Sequence, residues 1–273
     1  MPSTLPVKVG VMQGRLSPPS PQGPQAFPWM HWFDEFYIAS RLGLTHIEWL
    51  VDVRDMAFNP IWTQTSQIWK ASEWTGVDVL SVCLDAAMHV PPKTLNGWLS
   101  GQFIENLLIN MNEIGSKALC IPLLETTSLD QTSQRSDVVK ALASACKSAH
   151  LKGIQIAIET DLDTGSSLDA VKAVSMDNFG LVLDVGNAYT FGYDAIEQYV
   201  TLAETIRLIH LKDRSEENVS VAIGHGRSQV LELYHRLCED SLKAPITLEA
   251  FRGFNFEADI QLQLDSLAKA SRL

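Results

Sequence analysis

Four short apolar runs in the second half of the chain end in, or pass through, a side chain that can bind a metal ion or carry a proton. They are IAIE at Glu159, LVLD at Asp184, RLIHLKD at His210 and ITLE at Glu249. A charge carried on a buried apolar segment is costly unless something compensates it, so these are poor surface-loop residues. Three carboxylates and one imidazole suit a hard or borderline divalent cation, Mn2+ or Mg2+ first, with Co2+ or Zn2+ next, and leave positions for water or substrate oxygens. Taken singly, each residue has a bland reading. A strand-end Glu can be a helix cap or a rim ion-pair partner, and a lone strand His is commonly a hydrogen-bonded core residue. The recurrence over four consecutive runs is what points to a metal. Lys212 shares the strand face of His210, two residues on, so its cation can reach the same place.

Such residues need elements that bring them to one end of a sheet. The chain repeats one phrase: an amphipathic stretch, a glycine, then an apolar run, as in RLGLTHIEW, EWTGVDVLSVCLD, EIGSKALCIP and HLKGIQIAIE. Gly43, Gly76, Gly115 and Gly153 fall where a helix needs a left-handed C-cap. The pattern predicts eight strands, at 7–12, 45–49, 77–84, 117–122, 154–159, 179–184, 206–211 and 245–249, with room for one helix between neighbours. Most are apolar on both faces, as parallel strands covered by helices must be. Eight such units predict an α/β fold, a (β/α)8 TIM barrel, occupying 1–273 as one domain. The alternative, a doubly wound open sheet, commonly carries a glycine-rich loop after its first strand. Here that strand leads into MQGRLSPPSPQGPQ, with no GxGxxG. In a barrel, active sites form at the C-terminal strand ends, where the four candidate ligands sit.

Composition narrows the partners. With 21 Lys+Arg against 32 Asp+Glu, the net charge of −11 opposes nucleic acid and anionic membranes. Four scattered cysteines without a CxxC fit a reducing compartment, and neither a leader nor an 18-residue apolar run is evident, so a cytoplasmic location is expected. All seven tryptophans lie in the first 98 residues. Most are expected to be packing residues, with Trp29, Trp49 and Trp98 as possible pocket walls, because sugars stack on aromatic faces.

The strand-end residues, together with VGVMQGRLSP, IPLLE, LDVGNAYTFGYD, IHLKDR and TLEAFR, resemble the sugar phosphate isomerase/epimerase family, whose barrel is xylose isomerase-like. The resemblance covers nearly the whole chain. It implies a ketose 3-epimerase-like metal set of Glu159, Asp184, His210 and Glu249, and it supports Arg15, Glu48 and Arg252 as substrate-binding residues beside Lys212. Two departures stand out. Asn187 replaces a sugar-contacting His; it is still expected to bind substrate by hydrogen-bonding a hydroxyl, but it cannot titrate, and Gly224-His225-Gly226 replaces a frequent Gly-Glu-Gly.

Epimerising the carbon beside a carbonyl requires a proton to leave one face and another to arrive on the opposite face, which calls for two bases, here Glu159 and Glu249. The expected reaction is therefore isomerisation or epimerisation of a sugar or sugar phosphate, most simply ketose 3-epimerisation through a metal-stabilised enediolate. A sugar or inositol dehydratase is the same-barrel alternative. An abasic-site endonuclease with three zinc ions needs many histidines, and of the seven present His31, His150 and His235 fall in predicted helices and His46 at the start of a strand, while a non-catalytic sugar-binding protein remains as a different class. The cations Arg15, Lys212, Arg214 and Arg252 near strand ends favour a phosphorylated or carboxylated sugar. A homo-oligomer is compatible with the sequence.

Overall fold

The computed structural model describes residues 5–272 except 24, 131–134, 241–243 and 250. Eight parallel strands close into a barrel. These are β1 (Val9–Met12), β2 (His46–Leu50), β3 (Asp78–Cys83), β4 (Ala118–Leu123), β5 (Gln155–Thr160), β6 (Phe179–Asp184), β7 (Ile206–Leu211) and β10 (Ile246–Leu248). Between the last two lies a small antiparallel hairpin, β8 (Asp213–Arg214) with β9 (Ser220–Val221). The expected strands are all present, each within two residues of its predicted bounds. β2, β4 and β6 are buried along their whole length, which follows from helices outside and packed side chains within.

The covering helices are amphipathic. In α9 (Val230–Asp240) the buried residues Val230, Leu233, Tyr234 and Leu237 recur at helical spacing, and in α5 (Arg135–His150) Val138, Ala141, Leu142, Ala145, Cys146 and Ala149 do the same. Gly43 ends α1 (Asp34–Leu42) at φ 76°, and Gly76 ends α2 (Thr65–Thr75) at φ 69°, the left-handed caps expected of them. The expectation of one helix per crossover is corrected in two places. α3 (Pro92–Leu99) and α4 (Gln102–Glu113) both separate β3 from β4, while α7 (Val185–Thr190) and α8 (Ala195–Leu202) follow β6. No helix is long and apolar enough to cross a membrane.

Candidate metal centre

Closure of the barrel brings the four strand-end residues together. Glu159 is the penultimate residue of β5, Asp184 ends β6, His210 lies in β7 paired with Asp184, and Glu249 directly follows β10. One ligand atom from each lies within 4.8 Å of the others. His210 Nδ1 faces Glu159 Oε2 at 3.6 Å, Glu249 Oε2 at 3.7 Å and Asp184 Oδ2 at 4.0 Å. These separations exceed hydrogen-bond length, and this buried nitrogen has no hydrogen-bond partner among the described residues. An unpartnered imidazole nitrogen aimed at three carboxylate oxygens fits a divalent cation, in donor chemistry as well as in placement.

The other imidazole nitrogen explains how Nδ1 is kept available. His210 Nε2 lies 3.1 and 3.2 Å from the two oxygens of Glu48. An ionised carboxylate accepts only, so Nε2 carries a hydrogen, and Nδ1 is the nitrogen whose lone pair a cation would take in place of a proton. This corrects the expectation that Glu48 binds substrate: its side chain is fully buried in the barrel lumen under His210. Its Oε2 also accepts from Ser81 Oγ and Thr247 Oγ1, both at 2.9 Å. Burial alone would raise the Glu48 carboxyl, yet His210 and the two hydroxyls bring it below the ordinary value. Burial likewise opposes the His210 cation, and Glu48 ahead of Glu159 raises it well above the usual imidazole value.

The remaining predicted residues stand around the cluster. Lys212 Nζ donates to Glu249 Oε1 at 2.7 Å and Asp184 Oδ2 at 3.2 Å. Its stem passes over Gly186, where a Cβ would meet three of its carbons at 2.9 Å. Arg15 Nη2 lies 3.6 Å from Glu249 Oε1 and donates to Gln25 Oε1 at 2.8 Å, while Gln25 Nε2 donates to Glu249 Oε1 at 2.8 Å. Burial would raise Glu249, but Lys212, then Arg15 and His210, hold it at about 2. Asp184 moves the other way, to about 6, because burial, Glu159 and Glu249 outweigh Lys212. The Asn187 backbone N–H donates to Asp184 Oδ1 at 2.8 Å, and its side-chain amide donates to Glu159 Oε1. Arg252 stands farther out, donating to the Ser17 carbonyl at 3.1 Å.

Over the cluster opens a cavity of about 330 Å³, lined in part by Glu159, Asn187, Lys212, Glu249, Asp85 and Gln25. Gln25 escaped the sequence reading, which has no local signal for a partner 224 residues away. Asp85, His89 and Glu125, from the segments that follow β3 and β4, also line the cavity. Burial first, then Glu249, Asp52 and Glu159, push the Asp85 carboxyl up to about 7. No tryptophan lines this cavity: Trp49 is fully buried and bonded to Asn59, Trp98 stacks on Phe103, and Trp29, edge-on to Phe27, lines a separate pocket that also contains Arg252.

His225 is exposed and does not line this cavity. The glycines beside it do matter. Asp213 accepts the backbone N–H groups of Arg214, Gly224, Gly226 and Ser228 at 2.9–3.1 Å, and a Cβ on Gly226 would run into Asp213 and the Arg214 carbonyl. Gly226→Ala is therefore expected to cost about 1–3 kcal/mol in denaturant unfolding while metal content is retained. An unchanged midpoint would show that the loop has another way to seat itself.

The family described as xylose isomerase-like TIM barrel matches residues 36–270. No curated protein sequence matches the chain. Among solved structures, the probable 3-DHS dehydratase AsbF of Bacillus anthracis superposes with a TM-score of 0.74 at 16% identity, covering 96% of this chain and 98% of that one. A D-allulose 3-epimerase from Methylomonas sp. gives 0.73 at 15%, with 100% of both chains covered. A xylose isomerase-like protein from Mycobacterium smegmatis in complex with magnesium gives 0.69 at 15%, covering 98% of each. At such identities the likeness speaks for the fold alone. The match over most of the sequence makes this chain a member of the xylose isomerase-like TIM barrel family.

Proposed function

We propose that the chain, taken as one domain over residues 1–273, is a divalent-metal-dependent isomerase or epimerase of a small ketose derivative, with 3-epimerisation as its reaction. The observation that carries this reading is His210 Nδ1, buried, unpartnered and facing one oxygen each of Glu159, Asp184 and Glu249. A divalent ion held by these four residues, Mn2+ or Mg2+ by donor chemistry, would supply Lewis acidity toward a carbonyl and its neighbouring hydroxyl.

The proton traffic falls to the glutamates. Each turns Oε2 toward His210 and keeps Oε1 among polar side chains of the mouth, Asn187 for Glu159, and Lys212, Gln25 and Arg15 for Glu249. Two strands, β6 and β7, separate the strands that carry them, so the two carboxylates approach a common substrate from different directions. That is the arrangement needed to take a proton from one face of a carbon and return one to the other. Asn187 cannot titrate and acts by orienting Glu159. Lys212 and Arg15 hold Glu249 and offer donors to substrate oxygens.

Protein purified without chelator is expected to carry about one equivalent of divalent metal, lost in Asp184→Ala and in His210→Ala. Elemental analysis decides it, and three zinc ions, or metal unaffected by both substitutions, would refute the assignment. Screening ketoses and their acidic derivatives with Mn2+ then identifies the reaction. A dehydratase is the second reading, favoured by Asp85, whose buried carboxyl, pushed up to about 7, lines the cavity where it can protonate a departing hydroxyl. A product lighter by one water selects it.

A further inference from the structure

Four cations surround the mouth, and two of them are engaged by the carboxylates of the metal cluster. Lys212 is bonded to Asp184 and Glu249, and Arg15 to Gln25 and Glu249. Arg214 and Arg252 are placed differently. Among the described residues neither has a carboxylate within ion-pair distance, and each donates to a neutral carbonyl, Arg214 to Asn218 at 3.2 Å and Arg252 to Ser17 at 3.1 Å. Arg214 Nε is buried with no hydrogen-bond partner. Both line a cavity of about 550 Å³ together with Arg15, Lys212 and Glu249. That cavity adjoins the space over the metal cluster, sharing Lys212, Arg214 and Glu249 with it.

Guanidiniums partly withdrawn from water and left without a counter-charge are costly in any protein, and a chain with 32 acidic residues has carboxylates to spare. Arg252 even stands beside another cation: burial and then Arg15 push it down to about 10, and only Glu35 pulls the other way. Glu35 is turned inward, accepting the backbone N–H groups of Gly14 at 2.9 Å and Leu16 at 3.0 Å. The arginines are also held in place. Arg214 lies in the β8–β9 hairpin rooted on Asp213, and Arg252 is tied to the loop after β1.

We propose that Arg214 and Arg252 form a seat for an anionic group, a carboxylate or a phosphate, carried by the substrate at the end remote from the metal. The substrate class is then an acidic sugar derivative, a narrowing that rests on the reading of this mouth as a sugar site. A planar guanidinium matches the paired oxygens of either anion. The net charge of −11 repels anions in general, so a preference for them must come from a local seat.

Equilibrium titration of the Mn2+-loaded protein with D-fructose, D-fructose 6-phosphate and D-fructuronate tests this directly, since the three share a carbon skeleton and differ in the terminal group. At least one anionic ligand is expected to bind about tenfold or more tightly than fructose, and the tighter of the two identifies the anion. Arg214→Gln and Arg252→Gln should each bring that ratio toward one, while Arg→Lys at either position retains more of it. Titration reads binding and not turnover, so the seat and the epimerase reading fail separately: metal content and product analysis judge the latter. Equal affinities, no saturable binding of either anion, or a ratio unchanged in both glutamine variants overturns the seat.

Discussion

Glu249→Gln is expected to slow formation of the epimer by at least about 10²–10⁴-fold, the range for loss of a general base. The amide keeps the shape of the side chain and one oxygen for the cluster, but it cannot take a proton. Its partners add to the effect, because Lys212 and Arg15, which now face a carboxylate oxygen, would face a neutral group. Turnover in D2O separates the two roles. The native protein should place solvent deuterium at the reacting carbon. In the variant, Glu159 remains beside Asn187 and can still exchange the proton of the one epimer that presents its C–H to that side, without inverting it. Exchange without inversion would identify Glu249 as the base of the opposite face. Full activity in the variant, or native epimerisation without deuterium uptake, would remove the two-base scheme.

Glu48 carries the second large effect, although it lies beneath the mouth and cannot reach a substrate. Glu48→Ala removes the partner of a buried imidazole and leaves the hydroxyls of Ser81 and Thr247 without their acceptor. Breaking such a pair from one side costs about 3–5 kcal/mol, enough to unfold much of a marginally stable population. Glu48→Gln is the milder companion: it preserves packing and one acceptor but gives up the charge that makes His210 a stronger ligand. Metal affinity should then fall about 10- to 100-fold with the fold intact. Denaturant unfolding reads the first variant, and metal titration after chelator treatment reads the second. Unchanged affinity in Glu48→Gln would mean that His210 is oriented by packing alone.

Glu48 also shows where a sequence stops being legible. Its position at the end of the second strand is visible in HIEWL, but its depth depends on how β1, β2 and β3 are staggered, with Glu48 registered against Met12 on one side and Ser81 on the other. No local pattern encodes that stagger. The helix caps were readable because the demand at Gly43 and Gly76 is local, a left-handed backbone at the end of an amphipathic segment. The four strand-end residues were readable because an apolar run ending in a charge is itself anomalous. Gln25, Asp213 and the β8–β9 hairpin give no such signal, since each takes its role from groups distant in sequence or from bonds to backbone.

The Glu48–His210 contact spans 162 residues of sequence and joins strands that are not neighbours in the sheet, since β1 and β10 lie between them. Every group of the four-residue cluster comes from the C-terminal half of the chain, yet the carboxylate that fixes the imidazole comes from the N-terminal half. A half-barrel beginning near β5 would hold all the donor atoms without the means to aim His210. In the proposed metal site, the aim of His210 would thus be a property of the closed ring, set where its two ends meet.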